Sequence, residues 1–319
     1  MARFLTEDDV SRLLTMPRAL DAVETVMAEM ADGAAQNIPR ERLRTPGTTQ
    51  HLLQGLVPSE HAVGYKVYTI SKGVVRFLLY VYDTTDGHLA GILQAQTLGM
   101  MRTGAASGVA TRHLARPDAA VLGVFGSGRQ AVGQIEAVCH VRPIREVKVH
   151  ARDRLKLTAF CETMSRRVGI RVRPAEDAED AVRGSDVVTT ITTSDVPVFD
   201  GAWLSPGTHV NAAGANMLSK REVDEATLRR CSAVVVDSRA VAQKECGDLL
   251  PLIEKGHLGW GDIHELGEVM TGRRPGRRHA DDITCFESLG LAIQDIIVGA
   301  RLLPLAHAQK LGIDLPVGI

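Results

Sequence analysis

Val121-Leu122-Gly123-Val124-Phe125-Gly126-Ser127-Gly128-Arg129-Gln130-Ala131 decides the fold of this chain. An apolar, β-branched run ends in Gly-x-Gly-x-x-Ala, and a helical pattern follows at once. A dinucleotide pyrophosphate needs this arrangement. Gly126 permits a tight turn off the strand, and Gly128 lets the backbone approach the phosphates. Ala131 is small enough for the new helix to pack on the strand, whose first free amides then face the anion. Glycine-rich turns are common by themselves; the strand before and the helix after make the motif specific. We assign Gly126, Ser127, Gly128, Arg129, Gln130 and Ala131 to a cofactor site.

Working outward, the pattern from Ala119 alternates strand and helix. Strands are expected at Ala120–Phe125, Glu146–His150, near Val172, and at Asp186–Thr192, Thr208–Ala212 and Ala233–Val236. Helices are expected at Gln130–His140, Arg154–Val168 and Glu176–Arg183. This is an α/β pattern, a Rossmann-type doubly wound parallel sheet. In such sheets an acidic residue at the end of the second strand accepts from the adenosine ribose and favours NAD, whereas a small residue followed by arginine accommodates the extra phosphate of NADP. Here the strand runs into Ala151-Arg152-Asp153. Ala151 aligns with the acidic position and Arg152 follows it, so NADP(H) is favoured; a slip of one or two residues would put Asp153 at the ribose and keep NAD(H) open. Thr190 and Thr192 end a further strand, where the ligand crevice of a parallel sheet lies.

The first third of the chain reads differently. Thr6 to Asp32 has helical periodicity, with a capping box at Thr6 and Asp9 and a break at Pro17. Val63 to Ile92 is β-branched and aromatic with a turn at Asp83–Gly87, an antiparallel sheet. Gln94 to Ala115 is a helix rich in small residues, and Pro117 marks the expected domain boundary. A last apolar helix is expected near Ser288 to Leu303.

With 319 residues and 45% hydrophobic content, the chain is long enough for two cored domains. A net charge of −1 gives no bulk field to draw nucleic acid or an anionic membrane. No run reaches the length of a membrane span, and Met1–Asp9 turns acidic too soon for a signal peptide. Five cysteines, an odd number with no Cys-x-x-Cys spacing, read as free thiols of a reducing compartment, so a cytoplasmic location is expected. The scattered histidines form no metal-ligand spacing, and no metal is expected.

Three cations stand out before the boundary: Arg42, Lys66 and Arg102. Lys66 sits in an otherwise apolar and aromatic strand, where it either snorkels to solvent or points into a polar cavity. Arg102-Thr103 precedes Gly104-Ala105-Ala106-Ser107-Gly108, a segment that backbone or ligand can approach closely.

These pieces, with Gly64-Tyr65-Lys66-Val67, Asp86-Gly87-His88-Leu89-Ala90-Gly91, His209-Val210-Asn211-Ala212-Ala213-Gly214, Gly247-Asp248-Leu249 and Asp282–Gly290, run in order over nearly the whole chain. In that order the sequence resembles the ornithine cyclodeaminase / mu-crystallin family. The resemblance implies a homodimer. It implies a Rossmann domain at 117–290 and an α+β substrate-binding and dimerisation domain at 1–116, completed by 291–319. Family members include ornithine and lysine cyclodeaminases, alanine dehydrogenases, ketimine reductases and N-alkyl amino acid dehydrogenases. Their common step is hydride transfer at the α-carbon of an amino or imino acid.

Carried over by position, Arg42 and Lys66 hold the substrate carboxylate, with Lys66 near the reacting nitrogen and Arg40 the alternative to Arg42. Arg102 is a third carboxylate or cofactor-amide contact. Thr103, Asn211, Ser288 and Gly290 fall at the cofactor. A guanidinium fork matches a carboxylate, and a lysine amid cations has a lowered pKa suited to proton transfer. The chain departs from the family at Asn216, where cyclodeaminases and alanine dehydrogenases have an aspartate that assists proton transfer. Asparagine hydrogen-bonds but takes no proton near neutral pH. Glu287, where many relatives have lysine, is a second departure, read as a different substrate charge or a different surface. An NAD(P)H-dependent reductase of α-imino acids is the leading expectation. A cyclodeaminase with recycled NAD and a non-catalytic NADP(H)-binding protein are the alternatives.

Overall fold

The computed structural model describes residues 2–317. They form two compact units, residues 2–102 with 291–317, and residues 103–290. The division falls inside the helix Gln96–Leu114, upstream of the boundary expected at Arg116-Pro117. The reason is close packing within the second unit: a Cβ on Gly104 would lie 2.1 Å from the Gly133 carbonyl oxygen, so this part of the helix is fitted to the helix Arg129–Val141. The run of small residues is what admits that contact.

The first unit is built on a seven-stranded sheet in the order Ile313–Leu315, Ala2–Leu5, Leu89–Gln94, Val74–Asp83, Ala62–Ser71, Thr48–Val57, Gln36–Arg44. Only Ala2–Leu5 and Leu89–Gln94 run parallel; the other pairs are antiparallel. Thr6 caps the helix Glu7–Leu13 with Asp9 completing the capping box, and Pro17 opens a second helix, Met16–Ala31, as the sequence indicates. The helix Ala292–Ala308 packs on one face of the sheet. Contact is close enough that a Cβ on Gly55 would meet Ile293 Cγ2 at 2.7 Å, and one on Gly299 would meet Leu79 Cδ2 at 2.5 Å. Along Ala62–Ser71 the period of two therefore turns Ala62, Gly64 and Lys66 inward, and all three are buried.

The second unit holds eight parallel strands in the order His264–Glu265, Cys231–Val236, Ile283–Glu287, His209–Ala212, Val187–Thr190, Val121–Phe125, Glu146–His150, Arg171–Pro174. Chain order reverses at Val121–Phe125, which pairs with Glu146–His150 on one side and Val187–Thr190 on the other. That is the topological switch point, where a crevice opens beyond the carboxyl ends. Phe125 and Phe286 are fully buried, each contributing about 1.5–3 kcal/mol. The strand at Ile283–Glu287 was not anticipated as one. The five cysteines are free. Among the described residues no helix is long and apolar enough to cross a membrane.

Candidate functional site

In the first unit the inward face of the sheet buries cations. Lys66 is 3% exposed, flanked by Leu53 and Leu79 on the neighbouring strands. Its Nζ donates to Asp295 Oδ1 at 2.9 Å and lies 5.3 Å from the centre of the Phe77 ring. Arg102, also buried, donates from Nε to the same Asp295 oxygen at 3.1 Å and from Nη1 to Gln294 Oε1 at 3.0 Å. Burial pushes the Lys66 ammonium down to about 8; Asp295 opposes this, and the charges of Arg102 and Arg40 add to it. Gly99 leaves space beside the ammonium, since a Cβ there would stand 3.3 Å from Nζ.

Of the two arginines left open by the sequence, Arg40 is the buried one and its charge reaches Lys66, while Arg42 is half-buried and opposite His51. The ladder shifts register between Ile38 and Glu41, at Pro39, and this irregularity turns Arg40 inward. His51, buried and stacked on Tyr68 at 4.2 Å, is held down to about 4 by burial and by Arg40, Arg42 and Arg44, so it is neutral at physiological pH. Neither Asp295 nor His51 was anticipated. Asp295 carries a usable signal, an acidic residue in the last apolar helix; His51 carries none without the register.

In the second unit a cavity of about 460 Å³ lies against Gly126, Ser127, Gly128, Ala151, Arg152, Asp153 and Thr192. Its shape fits a dinucleotide pyrophosphate. Gly126 has φ +114°, and a Cβ there would lie 2.6 Å from the Ile191 carbonyl oxygen, whereas nothing lies within 4 Å of a Cβ on Gly128. The helix Arg129–Val141 starts at Gly128 with no side-chain cap, which leaves its first amides for an anion. Ala131 is buried in the core beneath, and Arg129 is exposed. Gln130 Oε1 is buried without a hydrogen-bond partner.

Asp153 caps the helix Arg154–Val168, accepting from Lys156 N at 3.2 Å, and pairs with Lys156 Nζ at 3.0 Å. Arg152, beside it, is exposed. Thr190 and Thr192 both donate to Glu222, at 3.1 and 2.6 Å, so this buried carboxylate orders the strand end. Asn211 is buried, with its side chain bonded to Thr111 Oγ1 at 2.9 Å and His209 Nε2 at 3.1 Å. Asp237 Oδ2 accepts from Leu289 N at 2.8 Å and Gly290 N at 2.7 Å, fixing the turn after Ser288, whose hydroxyl is buried without a partner. Thr103 and Asn216 are half-buried, and the Thr103 carbonyl accepts from Gln134 Nε2 at 3.3 Å.

Glu287 is not a surface residue. It is 1% exposed, with its oxygens against Cys246 Sγ at 3.7 Å and Cys285 Sγ at 3.8 Å. Burial and the neighbouring Asp248 and Glu222 push its carboxyl well above the usual carboxylate range.

The whole chain can be set beside known proteins. It is 33% identical over 297 residues to Delta(1)-pyrroline-2-carboxylate reductase of Bacillus cereus, covering 88% of this chain and 91% of that protein. It is 33% identical over 322 residues to alanine dehydrogenase of Archaeoglobus fulgidus, covering 97% and 96%. The solved structure of Thermococcus litoralis Delta(1)-pyrroline-2-carboxylate reductase, in complex with NADH and L-proline, superposes with a TM-score of 0.94 at 31% identity, over 98% of this chain and 100% of that one. The model of the ornithine cyclodeaminase/mu-crystallin family matches residues 2–303, and the chain belongs to that family.

Proposed function

We propose that the protein reduces the C=N bond of α-imino acids with NAD(P)H, taking a cyclic ketimine carboxylate such as pyrroline-2-carboxylate to the cyclic amino acid. One observation carries this reading: Lys66 and Arg102, both buried, share a single carboxylate oxygen, so two cations meet one anion. The carboxylate of a small substrate is the natural second anion. Lys66, Arg102 and Arg40 bind that carboxylate. When bound, the reduced nicotinamide supplies a hydride to the imine carbon. Lys66 gives a proton from Nζ to the nitrogen, becomes a neutral amine and is reprotonated from solvent. An ammonium held down to about 8 parts with its proton readily near neutral pH. Asn216 hydrogen-bonds the substrate or a water and moves no proton.

The Gly126–Ala131 turn and the Ala151–Asp153 segment hold the dinucleotide, with Thr190, Thr192, Ser288 and Gly290 supporting that site. NADP(H) is the favoured form, because Asp153 is engaged as a helix cap while Arg152 is exposed at the cavity. The proposed assembly is a homodimer through the sheet face turned away from Ala292–Ala308, where Val63 is 40% exposed and Tyr65 and Tyr80 stack at 4.7 Å. Light scattering that returned the 34.4 kDa of one chain would refute that assembly.

The test is coenzyme oxidation at 340 nm over cyclic imino acids and α-keto acid–amine pairs. The expected result is turnover with a higher kcat/KM for NADPH than for NADH. Conversion of ornithine to proline without added coenzyme identifies a cyclodeaminase instead, and tight coenzyme binding with no turnover identifies a binding protein.

A further inference from the structure

Asp295 lies on the helix Ala292–Ala308 and is fully buried. Its Oδ1 accepts from Lys66 Nζ at 2.9 Å and from Arg102 Nε at 3.1 Å, joining a strand residue and a residue of the helix Gln96–Leu114 through one atom. Oδ2 is buried with no hydrogen-bond partner. The helix itself is pinned at its start. Ala292 N donates to Asn37 Oδ1 at 2.8 Å, and Gln294 Oε1 takes Arg102 Nη1 at 3.0 Å. The carboxylate is thus delivered to the cations by an element anchored on both Asn37 and Arg102. An orphaned buried carboxylate oxygen is costly, and such a cost persists where the group serves a site.

We propose that Asp295 is the positioning residue of the imine reduction: it fixes the Lys66 ammonium and the Arg102 guanidinium as one unit and keeps Lys66 protonated until the nitrogen takes the proton. This rests on the reading given under Proposed function. The step balances. An Nζ–H bond of Lys66 breaks, an N–H bond of the product forms, and NAD(P)H supplies the hydride to carbon. Asp295 takes no proton in this step and accepts a hydrogen bond from the neutral amine. The charged groups acting on Lys66 are Asp295 from the last helix, Arg102 from the helix Gln96–Leu114 and Arg40 from the first strand of the sheet's edge; Asp295 alone favours the protonated form. Without it, burial and two guanidiniums act unopposed.

The test is Asp295→Asn, which keeps the shape and an acceptor oxygen and loses the charge. Two readouts are taken on the full chain. The first is the titration of Lys66 Nζ in protein labelled with ¹⁵N-lysine, the resonance assigned by Lys66→Met. The second is the pH profile of kcat/KM. The Nζ midpoint is expected to fall by about one unit or more, in line with loss of an adjacent opposite charge. The alkaline limb should move down with it, so that activity at pH 8 falls by about fivefold or more beyond any loss seen at pH 6. An unmoved Nζ midpoint overturns the proposal. So does a loss equal at every pH with a lowered melting temperature, which marks a structural role alone. If Nζ shifts and neither protein reduces any imino acid, the pairing stands and the reading of the reaction fails.

Discussion

Lys66 is the residue on which the proposed chemistry turns. A lysine on the inward face of a strand, between Leu53 and Leu79, is expensive unless paired, and Asp295 supplies the pair. Lys66→Met keeps the length and apolar fit and removes the proton donor. It is expected to lower kcat by about 10² or more, the usual contribution of a positioned acid, with coenzyme affinity retained in a fluorescence titration. In the parent protein the lysine must be protonated to act, so kcat/KM should fall as pH rises through about 8. Arg40 and Arg42 separate the two accounts of carboxylate binding. Arg40→Ala should raise KM tenfold or more and Arg42→Ala much less, a charge-assisted hydrogen bond being worth about 1.5–3 kcal/mol; the reverse order would restore Arg42 to the position read from sequence.

At the scale of elements, the glycine-rich helix Gln96–Leu114 gives the sharpest expectation. Gly104→Val places a branched side chain against the Gly133 carbonyl, where even a Cβ would stand at 2.1 Å. Overpacking of this kind costs about 1–3 kcal/mol or more. Chemical denaturation should therefore show a lowered midpoint for Gly104→Val and a smaller change for Gly47→Val, at an exposed position where nothing lies within 4 Å of an added Cβ. The same elements show what a sequence discloses. The glycine turn, the strand–helix alternation and the capping box at Thr6 are local patterns with one physical solution each, and they stand where the periodicity put them. The inward turn of Arg40 was illegible because it depends on a register shift at Pro39, which only pairing with Thr48–Val57 reveals. Asp295 and Lys66 lie 229 positions apart, so no local pattern joins them. The interior partners of Asn211 and Glu287 are hidden from the sequence for a related reason. Motif position does not disclose that Asn211 meets His209 and Thr111, or that Glu287 lies against a thiol.

For the whole molecule, the account assigns separate tasks to two units, one gripping a dinucleotide at the switch point of a parallel sheet and the other gripping a small anion on a mixed sheet. Family membership is compatible with reduction, oxidation or redox-neutral cyclisation, so the direction of the chemistry must be read from the reaction itself. Asn216 in place of an aspartate, with Lys66 as proton donor, points to net reduction of a C=N bond. The most direct measurement uses NADPH carrying deuterium at C4 of the nicotinamide, on the face the enzyme uses, with pyrroline-2-carboxylate as substrate. The account predicts proline bearing one deuterium at the α-carbon, formed mole for mole with NADP⁺, by mass spectrometry. Unlabelled proline, or no proline under conditions where the coenzyme is bound, would contradict it.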